Sequence, residues 1–270
     1  MSEHKIQQLI GIMQQLRDPV TGCPWDLKQS FKSIIPHTLE EAYEVADAIE
    51  QQDFEELKLE LGDLLFQVIF YCQLANEAQK FDFNDVVEGI CEKLIRRHPH
   101  VFSDANLLTE DAIKENWEAE KAKERAAKAQ DGNTQSIFDN VPNALPALTR
   151  AKKLQKRCVN VGFDWPSVSG AIEKVKEEIV ELEAELNATQ VSQEKASEEL
   201  GDLMFALVNV NRHLKLDPES TLRAANKKFE TRFRLVEQLA EQQNTQLEEM
   251  TLVQMEALWQ QAKLKLKNEK

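Results

Sequence analysis

The heptapeptide ELGDLLF at residues 60–66 returns as ELGDLMF at residues 199–205, with six of the seven positions identical. Self-similarity over such a distance marks a duplicated structural unit. Outward from the heptapeptide, neighbouring features recur in the same order. Glu41 and Glu44 answer to Glu178 and Glu181, Lys93 and Arg97 to Lys228 and Arg232, and Trp117 with Lys121 to Trp259 with Lys263. Two modules follow, at residues 1–125 and 145–270. Residues 126–144 read as a linker, because DGNTQS (131–136), Pro142 and Pro146 are turn formers.

The same stretch decides the secondary structure. Leu57, Leu61, Leu64, Leu65, Val68, Ile69 and Cys72 recur in steps of three and four, and Asp53 with Glu56 supplies a helix-start signal. A helix so nearly apolar all round is expected in the middle of a bundle. Asp217 followed by Pro218 is the predicted cap and first position of the helix carrying Lys228 and Arg232. The charged run from Glu115 to Lys128 has helical composition and reads as a solvated helix. Nothing carries a convincing strand signal, so the expected fold class is all-α, with two tandem helical bundles.

Composition agrees and excludes several functions. Gly and Pro number eight each in 270 residues, which favours helices joined by short loops. A formal charge of -14 argues against binding nucleic acid polymers or anionic membranes through bulk electrostatics. Cys23, Cys72, Cys91 and Cys158 form no C-x-x-C pair and no cluster with the five histidines, so neither zinc nor disulfides are expected. The start of the chain is polar, without the pattern of a signal peptide, and the apolar stretch from Leu64 to Leu74 is too short to span a bilayer. A soluble, cytoplasmic protein is expected.

A single E-x-x-E is weak evidence in a chain with 47 acidic residues. Here the acids recur in register in both copies, and one pair of each set sits in the most apolar helix. Residues three apart share a helix face, so Glu178 with Glu181 and Glu199 with Asp202 each make a two-carboxylate claw. At an effective dielectric of about 20, two carboxylates roughly 6 Å apart repel by roughly 3 kcal/mol, so facing claws need a cation between them. All-oxygen ligation suits Mg²⁺ or Mn²⁺. A di-iron bundle is the competitor, but its Glu-x-x-His signature is missing. Gly62 and Gly201 interrupt these helices at about 1 kcal/mol relative to alanine, which suggests close approach by a neighbouring helix or by a ligand. Lys228 with Arg232, and Lys93 with Arg97, share a helix face at i, i+4 and suit polyphosphate. Trp259 and Trp117 are either buried aromatics or platforms for a base.

GCPWD (22–26), EEAYE (40–44), ELGDLLF, RRHPHVF (96–102), VGFDW (161–165), ELGDLMF and KKFETRF (227–233) together resemble the two-module, bacterial type of the MazG family of nucleoside triphosphate pyrophosphohydrolases. The resemblance covers nearly the whole chain. It implies an all-α bundle, a homodimer, and Mg²⁺-dependent hydrolysis between the α and β phosphates to nucleoside monophosphate and pyrophosphate, with Mn²⁺ as a substitute. It also implies broad action on ribo- and deoxyribonucleoside triphosphates, hence nucleotide-pool cleaning. The metal ligands it implies are Glu178, Glu181, Glu199 and Asp202, and the nucleotide contacts are Lys174, Glu177, Lys228, Arg232 and Trp259. The expected chemistry is in-line attack of water on phosphorus at metal held by the four acids, with Lys228 and Arg232 stabilising developing charge. The general base stays open between Glu177 and Glu178. A narrower enzyme, for dUTP or phosphoribosyl-ATP, and a non-catalytic helical interaction protein are the alternatives.

Both copies keep four acids and a Lys/Arg pair, so Glu41, Glu44, Glu60, Asp63, Lys93 and Arg97 constitute a second candidate site. Pro36 is expected in a first helical turn, which puts a helix start near Thr38 and turns Glu41 toward capping. Glu178 lies more than two turns beyond Ser169, with Lys174 and Lys176 close by. The C-terminal copy is therefore the expected catalyst and the N-terminal copy a scaffold.

Overall fold

The computed structural model describes residues 2–103, 109–127 and 136–268, and among them every regular element is a helix. The chain divides into two compact units, Met1–Asp131 and Gly132–Lys270. Most of the predicted linker segment DGNTQS, all but Ser136, lies outside the described residues.

Unit 1 contains α1 (Ser2–Leu16), α2 (Phe31–Gln51), α3 (Phe54–Glu77), α4 (Phe83–Arg97), the single turn α5 (Pro99–Phe102) and α6 (Glu110–Ala127). Its centre is the hairpin of α2 and α3, with α1 and α4 packed on α3 and α6 on α4. Unit 2 repeats the plan with α7 (Ala147–Val159), α8 (Val168–Leu186), α9 (Gln193–His213), α10 (Pro218–Gln242) and α11 (Leu252–Asn268). There α8 and α9 form the hairpin, α7 and α10 pack on α9, and α11 packs on α10.

Local chemistry sets the helix starts. Asp53 accepts hydrogen bonds from the backbone of Glu55 and Glu56 at the head of α3, and Asp217 accepts one from Ser220 ahead of Pro218. Both satisfy amides that a helix end leaves without partners. α2 departs from expectation. Ser30 caps it in a reciprocal box with Ser33, so Pro36 lies in the helix interior and Thr38 is no helix start. A serine able to satisfy the first amides starts the helix earlier, at the cost of the one backbone bond that Pro36 cannot donate. Glu41 is thereby freed of any capping duty.

The unit 1 core gathers Met13, Ile34, Ile69, Phe70 and Leu74, and the unit 2 core gathers Val236, Leu239, Ala240, Leu258 and Ala262. α3 is not buried all round as its composition predicts. Gln67, Ile69, Phe70, Cys72, Leu74 and Ala75 in its second half are buried, whereas Leu61, Leu65 and Val68 are exposed. Leu200, Met204 and Leu207 are exposed at the equivalent positions of α9. Gly62 and Gly201 lie on this uncovered side, and among the described residues no atom outside their own helix backbone and chain neighbours comes within 4 Å of a Cβ built there. Approach by a neighbouring helix is thus absent within each unit, because α1 and α7 cover only one side of each hairpin.

The charged run of α6 is more than solvated. Glu124 takes a bidentate pair from Arg97, with Nη2 to Oε2 at 2.6 Å, and also pairs with Arg96. Arg97 first, and then Arg96, hold the Glu124 carboxyl down to about 2 from its ordinary 4.5. A carboxylate whose pKa is lowered by folding contributes stability above its unfolded pKa and loses it as pH falls through the folded value. The docking of α6 on α4 is therefore expected to persist at pH 4.5 and to fail as pH falls toward about 2. Amide exchange in α6 across that range checks this, and Glu124→Gln should abolish the dependence.

Candidate metal centre

In unit 2 the α8–α9 hairpin brings Glu178 together with Glu199 and Asp202, with one carboxylate oxygen of each lying within 4.8 Å of the others. Glu178 is 3% exposed, Glu199 half-buried and Asp202 exposed, so the cluster opens to solvent on one side. The Glu199 carboxyl is pushed up, first by desolvation and then by the charges of Glu181, Glu178 and Asp202. Glu181 therefore feels the cluster electrostatically, although it is exposed and stands outside the three-oxygen group.

The buried charge has a local counter-ion. Lys174 Nζ lies 2.6 Å from Glu178 and 2.7 Å from Glu177, and these hydrogen bonds, Glu177 first, push the Lys174 pKa up. An unpaired buried carboxylate is strongly disfavoured, so the ammonium stands where cationic charge is required.

The three oxygens fit a hard cation. Mg²⁺ takes oxygens at about 2.0–2.1 Å, so opposite ligands stand about 4 Å apart, a spacing compatible with three oxygens within 4.8 Å of one another. The donor set is all carboxylate, which disfavours zinc and copper.

Unit 1 builds the same group from Glu41, Glu60 and Asp63, while Glu44 stands outside it. Its surroundings differ. Desolvation pushes the Glu41 carboxyl up, ahead of the charges of Asp63, Glu44 and Glu40, and a hydrogen bond from Gln67 opposes this. Ala206 holds the position of Gln67 in unit 2. His37 replaces Lys174, with its ring against Trp25 and 3.7 Å from Glu40. Unit 1 thus offers Glu41 an amide where unit 2 offers Glu178 an ammonium.

The basic pairs differ in the same sense. Lys228 and Arg232 line a cleft of about 580 Å³ between α10 and α11, together with Lys227, Lys263 and Lys267. Arg232 lies over the Trp259 ring at 5.6 Å, and Trp259 packs on Phe229 at 5.2 Å. Trp259 is half-buried against the unit 2 core. In unit 1, Lys93 is half-buried and Arg97 is held by Glu124, while Trp117, 40% exposed, carries the Lys121 ammonium over its ring at 4.5 Å. The partner of Arg97 is 27 residues away, so no local pattern announced it.

Residues 29–102 match the family model described as MazG nucleotide pyrophosphohydrolase domain. The chain is 50% identical over 260 residues to the nucleoside triphosphate pyrophosphohydrolase of Escherichia coli (strain K12), covering 96% of this chain and 97% of that one. The chain belongs to the MazG family. MazG of Thermotoga maritima, named a nucleoside triphosphate pyrophosphohydrolase/pyrophosphatase, is 39% identical over 257 residues, 95% of each chain. YabN of Bacillus subtilis, described as uncharacterized, is 40% identical over 260 residues, which are 96% of this chain and 52% of that one. As a MazG protein the chain is a hydrolase of acid anhydrides. The family-model match runs from α2 through α5, so unit 1 keeps the family pattern despite its altered surroundings. Among the described residues, no helix is long and apolar enough to cross a membrane.

Proposed function

We propose that this protein hydrolyses nucleoside triphosphates to monophosphate and pyrophosphate at the acid cluster of unit 2, with Mg²⁺ as the preferred ion and Mn²⁺ as a substitute. The observation that carries the reading is the buried Glu178 carboxylate, joined by Glu199 and Asp202 within 4.8 Å. A divalent ion supplies Lewis acidity toward the phosphates and a lowered pKa for water at neutral pH. Glu178, Glu199 and Asp202 hold it, and Glu181 adds negative charge at the edge.

Lys174 orients Glu178 and Glu177 through its two short contacts. Glu177 lies outside the three-oxygen cluster, paired with Lys174. Lys228 and Arg232 bind the polyphosphate oxygens and stabilise charge that grows as the anhydride breaks. Among the described residues neither has a carboxylate partner, in contrast with Arg97, and this supports unit 2 as principal catalyst and unit 1 as scaffold. Broad action on ribo- and deoxyribonucleotides suits a cytoplasmic role in cleaning the nucleotide pool.

The test is incubation with MgCl₂ and mixed ribo- and deoxyribonucleoside triphosphates, with products separated by chromatography. Monophosphate plus pyrophosphate is expected; diphosphate plus orthophosphate overturns the reading. Omission of metal is expected to stop turnover.

The proposed state is a homodimer, supported by the exposed stripe of Leu200, Met204 and Leu207 and its counterpart in unit 1. Contiguous apolar surface of this kind marks an interaction site. Met204→Glu combined with Leu207→Glu is expected to shift the sedimentation velocity toward a monomer. A wild-type protein that sediments as a monomer sinks the dimer.

A further inference from the structure

The basic pairs of the two units face different residues on the helix packed against them. In the register that matches Trp117 with Trp259 and Lys121 with Lys263, Glu124 of α6 stands where α11 has Leu266, and Glu120 where it has Ala262. In unit 2 these two positions are apolar: Leu266 lines the cleft of Lys228 and Arg232, and Ala262 is buried in the core. In unit 1 the same positions carry carboxylates, and both are turned on the arginines that end α4. Glu124 accepts from Arg97 Nε at 3.2 Å and from Arg97 Nη2 at 2.6 Å, and it also pairs with Arg96. Glu120 lies 3.6 Å from Arg96 Nε.

A guanidinium grips a carboxylate and a phosphate with the same fork of two parallel N–H bonds. Glu124 therefore offers Arg97 what two oxygens of a polyphosphate offer. The pair is also shielded, with 15% of the Arg97 side chain and 26% of the Glu124 side chain exposed. A tethered carboxylate competes at an effective concentration on the order of millimolar, and a free anion has to bind more tightly than that to displace it. Unit 1 otherwise keeps the parts of such a site. Lys121 lies over the Trp117 ring at 4.5 Å, as Arg232 lies over Trp259 at 5.6 Å, and Glu41, Glu60 and Asp63 form their three-oxygen group.

We propose that Glu124 is the residue that bars polyphosphate from unit 1, its carboxylate filling from within the chain the anion position that unit 2 leaves to a ligand. The assignment rests on the polyphosphate role proposed above for Lys228 and Arg232. Glu124 thus determines which copy takes substrate, although the acids and the basic pair are repeated in both. The ligand that the opened position takes is a diphosphate group, free or at the end of a nucleotide, because it has oxygens enough to replace both the Arg97 fork and the Arg96 contact. Loss of the carboxylate turns unit 1 into a second polyphosphate site.

The test titrates imidodiphosphate, a pyrophosphate analogue whose bridge resists hydrolysis, into the full chain with MgCl₂ in a calorimeter. Wild type is expected to bind one per chain, at a site that Arg232→Ala weakens by roughly tenfold or more, the range for losing charge-assisted hydrogen bonds. Glu124→Leu installs the residue of unit 2, and Glu124→Gln keeps the side-chain shape without its charge. Each is expected to bind a second analogue, and Arg97→Ala added to either removes it. The reverse transplant, Leu266→Glu, is expected to weaken the unit 2 site by roughly tenfold or more through like charge beside the phosphates. Circular dichroism and a melting curve verify that each variant is folded. One site per chain in both folded Glu124 variants overturns the proposal, as does a second site in wild type that Arg97→Ala removes. Should both Glu124 variants unfold, Leu266→Glu decides, and unchanged affinity there overturns the proposal. If Arg232→Ala binds as wild type does, the polyphosphate role of Arg232 falls and this proposal with it; a weakened unit 2 site with no second site gained strikes Glu124 alone.

Discussion

Glu178→Ala is expected to lower triphosphate hydrolysis on the order of 100-fold or more, whereas Glu41→Ala leaves most of the activity in place. Loss of a group that merely orients a metal ligand costs about 10–100-fold, so loss of a ligand stands at or beyond the upper end. Glu178 is the one member of its cluster that is buried, and its removal also leaves the Lys174 ammonium without its nearest carboxylate. Pyrophosphate release measured against MgCl₂ concentration separates this from misfolding. A ligand role raises the metal concentration needed for half-maximal rate in Glu178→Gln, which keeps the side-chain shape. If Glu41→Ala abolishes activity and Glu178→Ala does not, the catalytic site belongs to unit 1.

The largest stability effect is expected from Phe70→Ala, a loss of about 3–5 kcal/mol in unit 1. Phe70 is 1% exposed within the core of Met13, Ile34, Ile69 and Leu74, and it meets Phe66 edge to face at 6.0 Å. The Arg17 guanidinium lies 5.4 Å over its ring and also pairs with Glu77, so truncation leaves a cavity and removes a cation–π contact together. A fall in the melting temperature of unit 1 by about 10 °C or more is expected. Phe54→Ala is the contrast: Phe54 is 76% exposed at the start of α3, and its loss should change stability by no more than about 0.5 kcal/mol. A comparable fall for both variants contradicts this placement of the core.

Much of this architecture was legible because it is written at helical spacing. The steps of three and four around ELGDLLF and the caps at Asp53 and Asp217 are local patterns with their predicted place in the structure, and three acids of each predicted four come together. Pro36 misled, since a proline is penalised in a helix interior and the cap at Ser30, six residues earlier, outweighed that penalty. Among the described residues, Gly62 and Gly201 meet no neighbouring helix within their units, because composition tells how apolar a helix is and not which of its sides meets a neighbour.

A cavity of about 560 Å³ beside α9 in unit 2 was hidden for another reason. VGFDW was visible as a motif, but its aromatic rings acquire a common cavity only when Asp164 finds Arg212 across 48 residues. Gln155 carries no signal of its own; its buried position and its half-satisfied amide come from packing against Phe205.

By itself, the sequence determined the all-α class, the duplication and the carboxylate pairs that share one helix face, since these depend on periodicity along single helices. The tertiary structure decided which three of the four acids converge, that Lys174 neutralises Glu178 while Gln67 attends Glu41, and that Arg97 is held by Glu124. Those outcomes turn on distances between side chains from different turns and different helices. A few ångströms there separate an ion pair from none, and no spacing along the chain encodes them.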